Sequence, residues 1–429
     1  MEETSEFQIK SEERQRWSSI ALVWSGSVIS VPALMVGGIL GGGLPLNICV
    51  IGIFIGYCIV CSYMSLIGMQ GCDTGLPTAV LAAGALGEKG GRYVISFILA
   101  VACIGWFGIQ AGVCGTSFAA MFGNLTGIVI PVWLSSIIWG IIMLLSACFR
   151  FDGLKRLNRI AVPLLAIVCL YTLIKSLGNG GMEVLHNYIP TGTITMVDAI
   201  SMTVGHFALA GAISSDYCRF ARKRTDVIKS SFIGVIPAGL MILLVGAVLS
   251  ITMGTYNISE ILISSGLPWL ALVALVVTSW TTNVANAYSG GLSLAVLLNK
   301  DEEKSRGTTG IAGILGTVLA ALGILTGLRT FLSLLTALVP PLVGPMIADY
   351  WIINKGRMSR FKSRPGFYIP GMLAFITGAL TACVTGGIFS KISFLSFLDR
   401  PFFIGPINGI VVAMVVYMVM SLIYKGDRK

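Results

Sequence analysis

The sequence predicts an all-α membrane protein with about twelve transmembrane helices, and three observations carry that expectation. Hydrophobic residues make up 55% of the 429 and charged residues only 11%, a balance that excludes a soluble globular core. Apolar runs long enough to cross a bilayer recur along the whole chain. The basic residues gather in short segments between those runs. If the first span starts inside, all of them except Lys175, Arg329, Lys391 and Arg400 fall on the cytoplasmic side. The formal net charge of +10 therefore reflects topology and not nucleic-acid binding.

Residues 1–17 read as a cytoplasmic tail. Glu2, Glu3, Glu12 and Glu13 leave it without the basic start and apolar stretch of a signal peptide. The spans are expected at 18–42, 45–69, 92–122, 131–149, 158–178, 196–218, 229–253, 267–298, 308–328, 330–353, 367–388 and 401–424, followed by a short tail at 425–429 that is also cytoplasmic. The first span crowds Gly26, Pro32, Gly37, Gly38 and Gly41-Gly-Gly43 into one apolar run, so it should be interrupted. The sixth carries Gly205, His206 and Gly211 in a similar role. Spans one and six correspond if 18–178 and 196–353 are two halves of five helices, with 367–424 added behind them. Five is odd, so the second half inserts upside down relative to the first. Paired interrupted helices in such inverted repeats mark a binding site near the membrane midplane.

In the third span Trp106 and Gln110 are four residues apart and share a helical face. An aromatic plane beside an amide that donates and accepts suits a planar heterocycle, and Phe207 offers a second ring. The eighth span has no charged residue between Glu260 and Lys300, yet its centre reads Thr278-Ser-Trp-Thr-Thr-Asn-Val-Ala-Asn-Ala-Tyr-Ser289. Thr278, Thr281, Thr282, Asn286 and Ser289 fall on one face, with Asn283 at its edge. Lipid would not solvate these groups, so the face should look into protein or a polar cavity.

Other features point to structure. The prolines of Val339-Pro-Pro-Leu-Val-Gly-Pro345 argue for a kink in the tenth span. Asp216 and Arg219 are three apart and suited to pair at the membrane surface. Asp73, Glu88 and Asp152 fall in expected loops, which leaves no carboxylate deep in a span and argues against an embedded proton relay. All ten Cys lie in or beside apolar runs and only Cys58 and Cys61 are close, so inert thiols are expected in place of a metal or redox site.

The chain resembles the nucleobase:cation symporter family, the purine and cytosine permeases. The resemblance rests on Gly37-Gly-Ile-Leu-Gly-Gly-Gly43, Gly105-Trp-Phe-Gly108, Gly205-His-Phe-Ala-Leu-Ala-Gly211 with Asp216 and Arg219-Phe220, Trp280-Thr-Thr-Asn283, and Pro340-Pro-Leu-Val-Gly with Ala348-Asp-Tyr350. It implies a five-plus-five inverted-repeat, LeuT-like fold and cation-driven uptake of nucleobases or related rings across the inner membrane, by a transporter and not an enzyme. It also implies a substrate set of Ser30, Trp106, Gln110, Phe207, Leu209, Thr278, Asn283 and Asn286. Sodium would be held by the Thr281 and Thr282 hydroxyls and by carbonyls near Gly26 and Ile29, with a proton as the alternative ion. No organic cofactor and no nucleic-acid partner is implied. The cytosine branch carries Ser at the place of Leu209 and Asn at that of Thr278, and it lacks Gln110. Those exchanges change which hydrogen-bond pattern on the ring is read. The rival readings are a sodium-coupled amino-acid carrier of the same fold, a channel, and a membrane-embedded enzyme. No filter-like repeat or catalytic constellation supports the last two.

Overall fold

The computed structural model describes residues 9, 11–149, 153–300, 305–389 and 393–426. Glu2, Glu3, Asp152, Lys391 and the last three residues lie outside the described residues. Each expected span coincides with a helix. Span 1 is a pair, Trp17–Val28 and Val31–Gly43, bent by 61°. Spans 2 to 5 are Leu46–Thr74, Glu88–Thr126, Val132–Cys148 and Gly153–Ser176. Spans 6 to 9 are Met196–Ala212, Arg224–Met253, Pro268–Leu297 and Ser305–Ala321. Span 10 is Leu328–Ile347, and spans 11 and 12 are Ile369–Thr385 and Gly405–Gly426. Among the described residues seven helices are long and apolar enough to cross a membrane, or eight with the bent pair as one span.

The break in span 1 falls at Ile29 and Ser30, and local chemistry explains it. Pro32 stands in the first turn of Val31–Gly43, where its missing N–H costs nothing, and the Ser30 side chain accepts from the Ala33 N–H at 3.3 Å as the N-cap. The glycines expected to interrupt the span lie inside this second helix instead. Their role is close approach: a Cβ on Gly37 would sit on the carbonyl oxygen of Leu243 in span 7, and one on Gly246 would meet the Leu34 carbonyl oxygen at 2.1 Å. Span 6 behaves likewise. It ends at Ala212, beyond Gly205 and Gly211, which admit the Leu332 carbonyl and the Tyr63 ring.

Other boundaries shift for identifiable reasons. Span 9 stops seven residues short of the expected 328, because Gly323 adopts φ +82° and its N–H donates to the Ala320 carbonyl while the Ile324 N–H reaches the Leu319 carbonyl. That pair of bonds is the glycine-terminated C-cap. Asp73, expected in a loop, belongs to the last turns of span 2, and that helix runs on to a left-handed Gly75. The prolines of span 10 are accommodated within one helix, which widens into a π-helical turn over Ala348–Ile353. Two short helices, Thr78–Leu86 and Ile258–Ser264, occupy connections that the sequence reading left without an element. They stand in matching places, between spans 2 and 3 and between spans 7 and 8.

Packing separates two apolar cores. The larger is centred on spans 1, 2, 6, 7 and 10, and the smaller gathers Phe107, Cys114, Met143, Leu144, Leu272 and Ala287 from spans 3, 4 and 8. Span 1 packs on span 7 as span 6 packs on span 2, and span 3 packs on span 4 as span 8 packs on span 9. Adjacent residues of span 3 face different cores: Trp106 packs against the first, while Phe107 belongs to the second.

At one end of the helix assembly, basic side chains are held in ion pairs. Arg224 chelates Asp73 through Nε and Nη2, and the Tyr350 hydroxyl donates to the same carboxylate at 2.6 Å. Asp349 is buried and accepts from Tyr417 at 2.7 Å, Arg364 at 3.0 Å and Asn354 at 3.0 Å. The tail segment before span 1 is strapped across this end, with Arg14 Nη1 donating to the carbonyls of Cys72 and Ala221. Asp216 accepts from the backbone N–H of Thr78 at 2.7 Å and so caps the helix Thr78–Leu86 from another element. Arg219 lies over the Phe220 ring.

Candidate functional site

The seam between the two cores brings together spans 3, 6, 8 and 10. Trp106, half-buried, meets Phe331 of span 10 edge to face at 5.2 Å between centroids and His206 of span 6 at 6.2 Å. A Cβ on Gly105 would clash with the edge of the Phe331 ring, so the glycine before Trp106 lets span 10 close on this face. His206 lies nearly parallel to Phe207 at 6.2 Å, and Phe207 in turn meets Trp24 of span 1. The result is a continuous run of rings from span 10 through spans 3 and 6 to span 1.

Gln110 lies one turn beyond Trp106 and is 2% exposed. Its Oε1 is buried and makes no hydrogen bond. An unpaired buried acceptor costs about 1–3 kcal/mol, so a side chain held this way is suited to a ligand that brings an N–H. His206 was not singled out as a site residue from sequence. Its imidazole sits between Trp106 and Phe207, and Nδ1 is 3.5 Å from the Tyr57 hydroxyl. The available signal was its position next to Phe207 in the glycine-flanked motif, which the sequence reading assigned to helix interruption.

The polar stripe of span 8 divides in two. Asn283 is fully buried, and its Nδ2 donates to the Phe107 carbonyl at 2.9 Å and contacts Met143 Sδ, while its Oδ1 accepts from Asn286. This amide ties span 8 to span 3 directly beside Trp106. Thr278 donates to the Ala161 carbonyl of span 5 at 3.3 Å. Thr281 and Thr282 are half-buried and donate to the Thr278 carbonyl at 3.0 and 2.9 Å. A hydroxyl that donates to its own helix still offers oxygen lone pairs.

In span 1, Gly26 is exposed near the end of Trp17–Val28, and Ile29 follows that helix in an extended conformation. Carbonyls at such a helix end lack intrahelical partners. Span 8 touches span 1 at the Val31–Gly43 half. Leu209 is half-buried in the first core, two residues beyond Phe207, and Ser30 caps the second half of span 1. A groove of about 290 Å³ between spans 4 and 9 is lined by residues such as Ile137, Leu144 and Val318. It offers a heterocycle almost nothing to hydrogen-bond. Among the described residues no cluster of His, Cys, Asp and Glu is arranged for a metal ion.

Comparison with known proteins gives a consistent picture. The family model for permeases of cytosine/purines, uracil, thiamine and allantoin matches residues 8–405. The cytosine permease of Escherichia coli K12 is 28% identical over 395 residues, covering 87% of this chain and 91% of that protein. The structure of Mhp1 in its inward-facing conformation superposes with a TM-score of 0.80 at 17% identity, covering 96% of this chain and 93% of the other. Mhp1 in a closed conformation with bromovinylhydantoin bound gives 0.74 at 18% identity, covering 98% and 95%. The fold is therefore the LeuT-like inverted-repeat transporter fold.

Proposed function

Since the chain belongs to the family of permeases for cytosine/purines, uracil, thiamine and allantoin, we propose that it imports one planar nitrogen heterocycle by alternating access, driven by inward flow of sodium. It is an integral membrane permease of nucleobase-like heterocycles and not an enzyme. The observation that carries the substrate reading is the buried, unpartnered Oε1 of Gln110, one helical turn beyond the half-buried Trp106. A ring stacked on the indole would place an N–H at that oxygen, with Phe207 and His206 on the far side and Asn286 at the edge. Gln110 in place of the cytosine-branch pattern favours a ring with adjacent donor and acceptor atoms other than cytosine itself.

Sodium would be held by the hydroxyl oxygens of Thr281 and Thr282 and by carbonyls near Gly26 and Ile29. Positive-inside reasoning places the ion-paired basic end and both termini in the cytoplasm, and the membrane is the inner membrane. Residues 18–178 and 196–353 are the two inverted repeats, each with a short helix after its second span, and 367–424 forms the added pair.

The deciding experiment is uptake of labelled cytosine, adenine, uracil and hydantoin into proteoliposomes with an inward sodium gradient, with choline replacing sodium as the control. Uptake of one ring that collapses in choline supports both parts. Uptake that ignores sodium but follows a pH gradient replaces sodium by a proton, and failure of all four rings removes the heterocycle reading.

A further inference from the structure

At the end of the molecule opposite the ion-paired basic end, a cavity of about 160 Å³ lies among the end of span 5, the segment after it, the end of span 7 and the residues following Ile258–Ser264. It is separate from the ring cluster and has its own polar lining. Lys175 enters it, donating from Nζ to the Ser265 carbonyl at 2.8 Å. Gly266 makes room for the ammonium: it adopts φ +97°, and a Cβ there would lie 2.5 Å from Nζ. Ser265 is 3% exposed, and its Oγ has no hydrogen-bond partner.

The remaining lining hydroxyls have committed their protons. Ser176 donates to Thr252 at 2.7 Å, Thr252 to the Val248 carbonyl at 2.9 Å, and Ser264 to the Ile261 carbonyl at 3.0 Å. They present lone pairs. The donors left to a ligand are the rest of the Lys175 ammonium, the Ser265 hydroxyl and the side-chain amide of Asn179. Among the described residues no carboxylate lines the cavity. One cation, one orphaned hydroxyl and a ring of acceptors form a complement to a small oxyanion that carries both charge and an O–H.

We infer that this cavity is a second binding site, taking a phosphate-type oxyanion through Lys175 and Ser265. The anion comes either from solution or from the headgroup of an anionic lipid; the chemistry at the site is the same. Because the lining joins spans 5 and 7 to the connection between spans 7 and 8, an occupied site cross-links three elements. The inference does not depend on which heterocycle is carried.

The test uses the full-length protein purified in neutral detergent. Inorganic phosphate is titrated while the thermal midpoint is followed, with chloride at matched ionic strength as the control, on wild type, Lys175→Gln, Lys175→Arg and Ser265→Ala. A ligand that binds only the folded state raises the midpoint. Phosphate should stabilise the wild type, with the dissociation constant weakened about tenfold or more in Lys175→Gln, less in Ser265→Ala, and largely kept in Lys175→Arg. In a second arm, native mass spectrometry compares retention of phosphatidylglycerol and phosphatidylcholine by wild type and Lys175→Gln. Loss of phosphatidylglycerol alone from the variant, with no phosphate effect, assigns the site to a lipid headgroup and supports the inference. If neither phosphate nor phosphatidylglycerol distinguishes wild type from well-folded Lys175→Gln, the inference is overturned. Should Lys175→Gln not fold, the same comparison between wild type and Ser265→Ala decides.

Discussion

Trp106 and His206 meet edge to face, with centroids 6.2 Å apart and planes at 88°, so the third and sixth spans present their rings to each other on the side of span 3 that packs against the larger core. Trp106 is the more exposed of the two. Trp106→Ala is expected to lower substrate affinity at least about tenfold, since base–aromatic stacking contributes roughly 1–3 kcal/mol. Direct binding and the thermal midpoint should be measured together. Unchanged affinity in a folded variant would assign Trp106 to packing against Phe331 alone.

Thr282→Ala is expected to reduce the dependence of substrate affinity on sodium more than the affinity at saturating sodium. Two ligands that raise each other's affinity do so by the same factor, so weakening the cation site flattens the reciprocal curve. The variant removes only an oxygen that already donates within its own helix, and stability should change little. An unaltered sodium dependence would remove Thr282 from the cage.

The double variant Gln110→Gly with Leu209→Ser moves two positions toward the cytosine-branch pattern. Losing or gaining one buried hydrogen bond shifts affinity by about 1–3 kcal/mol, enough to reorder related rings. A competition panel of cytosine, purines and hydantoins should move toward cytosine in the variant. The same rank order in both proteins would mean that these positions do not read the ring.

Gly246→Val should prevent stable packing of span 7 on span 1, because even a Cβ at this position would lie 2.1 Å from the Leu34 carbonyl oxygen. Gly307→Ala is the contrast: nothing lies within 4 Å of its Cβ position, and the change gains helix propensity of about 1 kcal/mol. Monodispersity and thermal midpoint in detergent separate the two, with the first collapsing and the second equal to wild type or higher.

Breaking the ion pair at the basic end should cost far more than breaking the one at the other end. Asp349→Ala removes the buried acceptor of Arg364 and Tyr417 and is expected to lose about 3 kcal/mol, as for buried pairs stripped of one partner. Arg329→Ala breaks a pair with Asp198 whose side chains are 39% and 34% exposed, and it should cost no more than about 1 kcal/mol. Equal losses in thermal unfolding would contradict the difference in burial.

What the sequence determined by itself is local. Apolar run length placed a helix at each expected span, since a bilayer demands a continuous hydrogen-bonded run of fixed length. Pro32 and Ser30 supplied the start signals of the second half of span 1, and the half-buried Trp106 and the buried Gln110 were legible as one face because helical spacing sets it. Tertiary structure decided which partner each polar group takes. Nothing near Asn283 in the chain reveals that its amide holds the Phe107 carbonyl, that Thr278 turns to Ala161, or that Asp216 caps a helix more than a hundred residues away. The same holds for the glycines of spans 1 and 6, whose role is set by a backbone or ring on another helix, and for His206, whose neighbours come from spans 2 and 3. Helical periodicity fixes the direction of a side chain on its own helix. The pairing of directions depends on how helices distant in sequence pack, where a single buried hydrogen bond or one missing Cβ selects the contact.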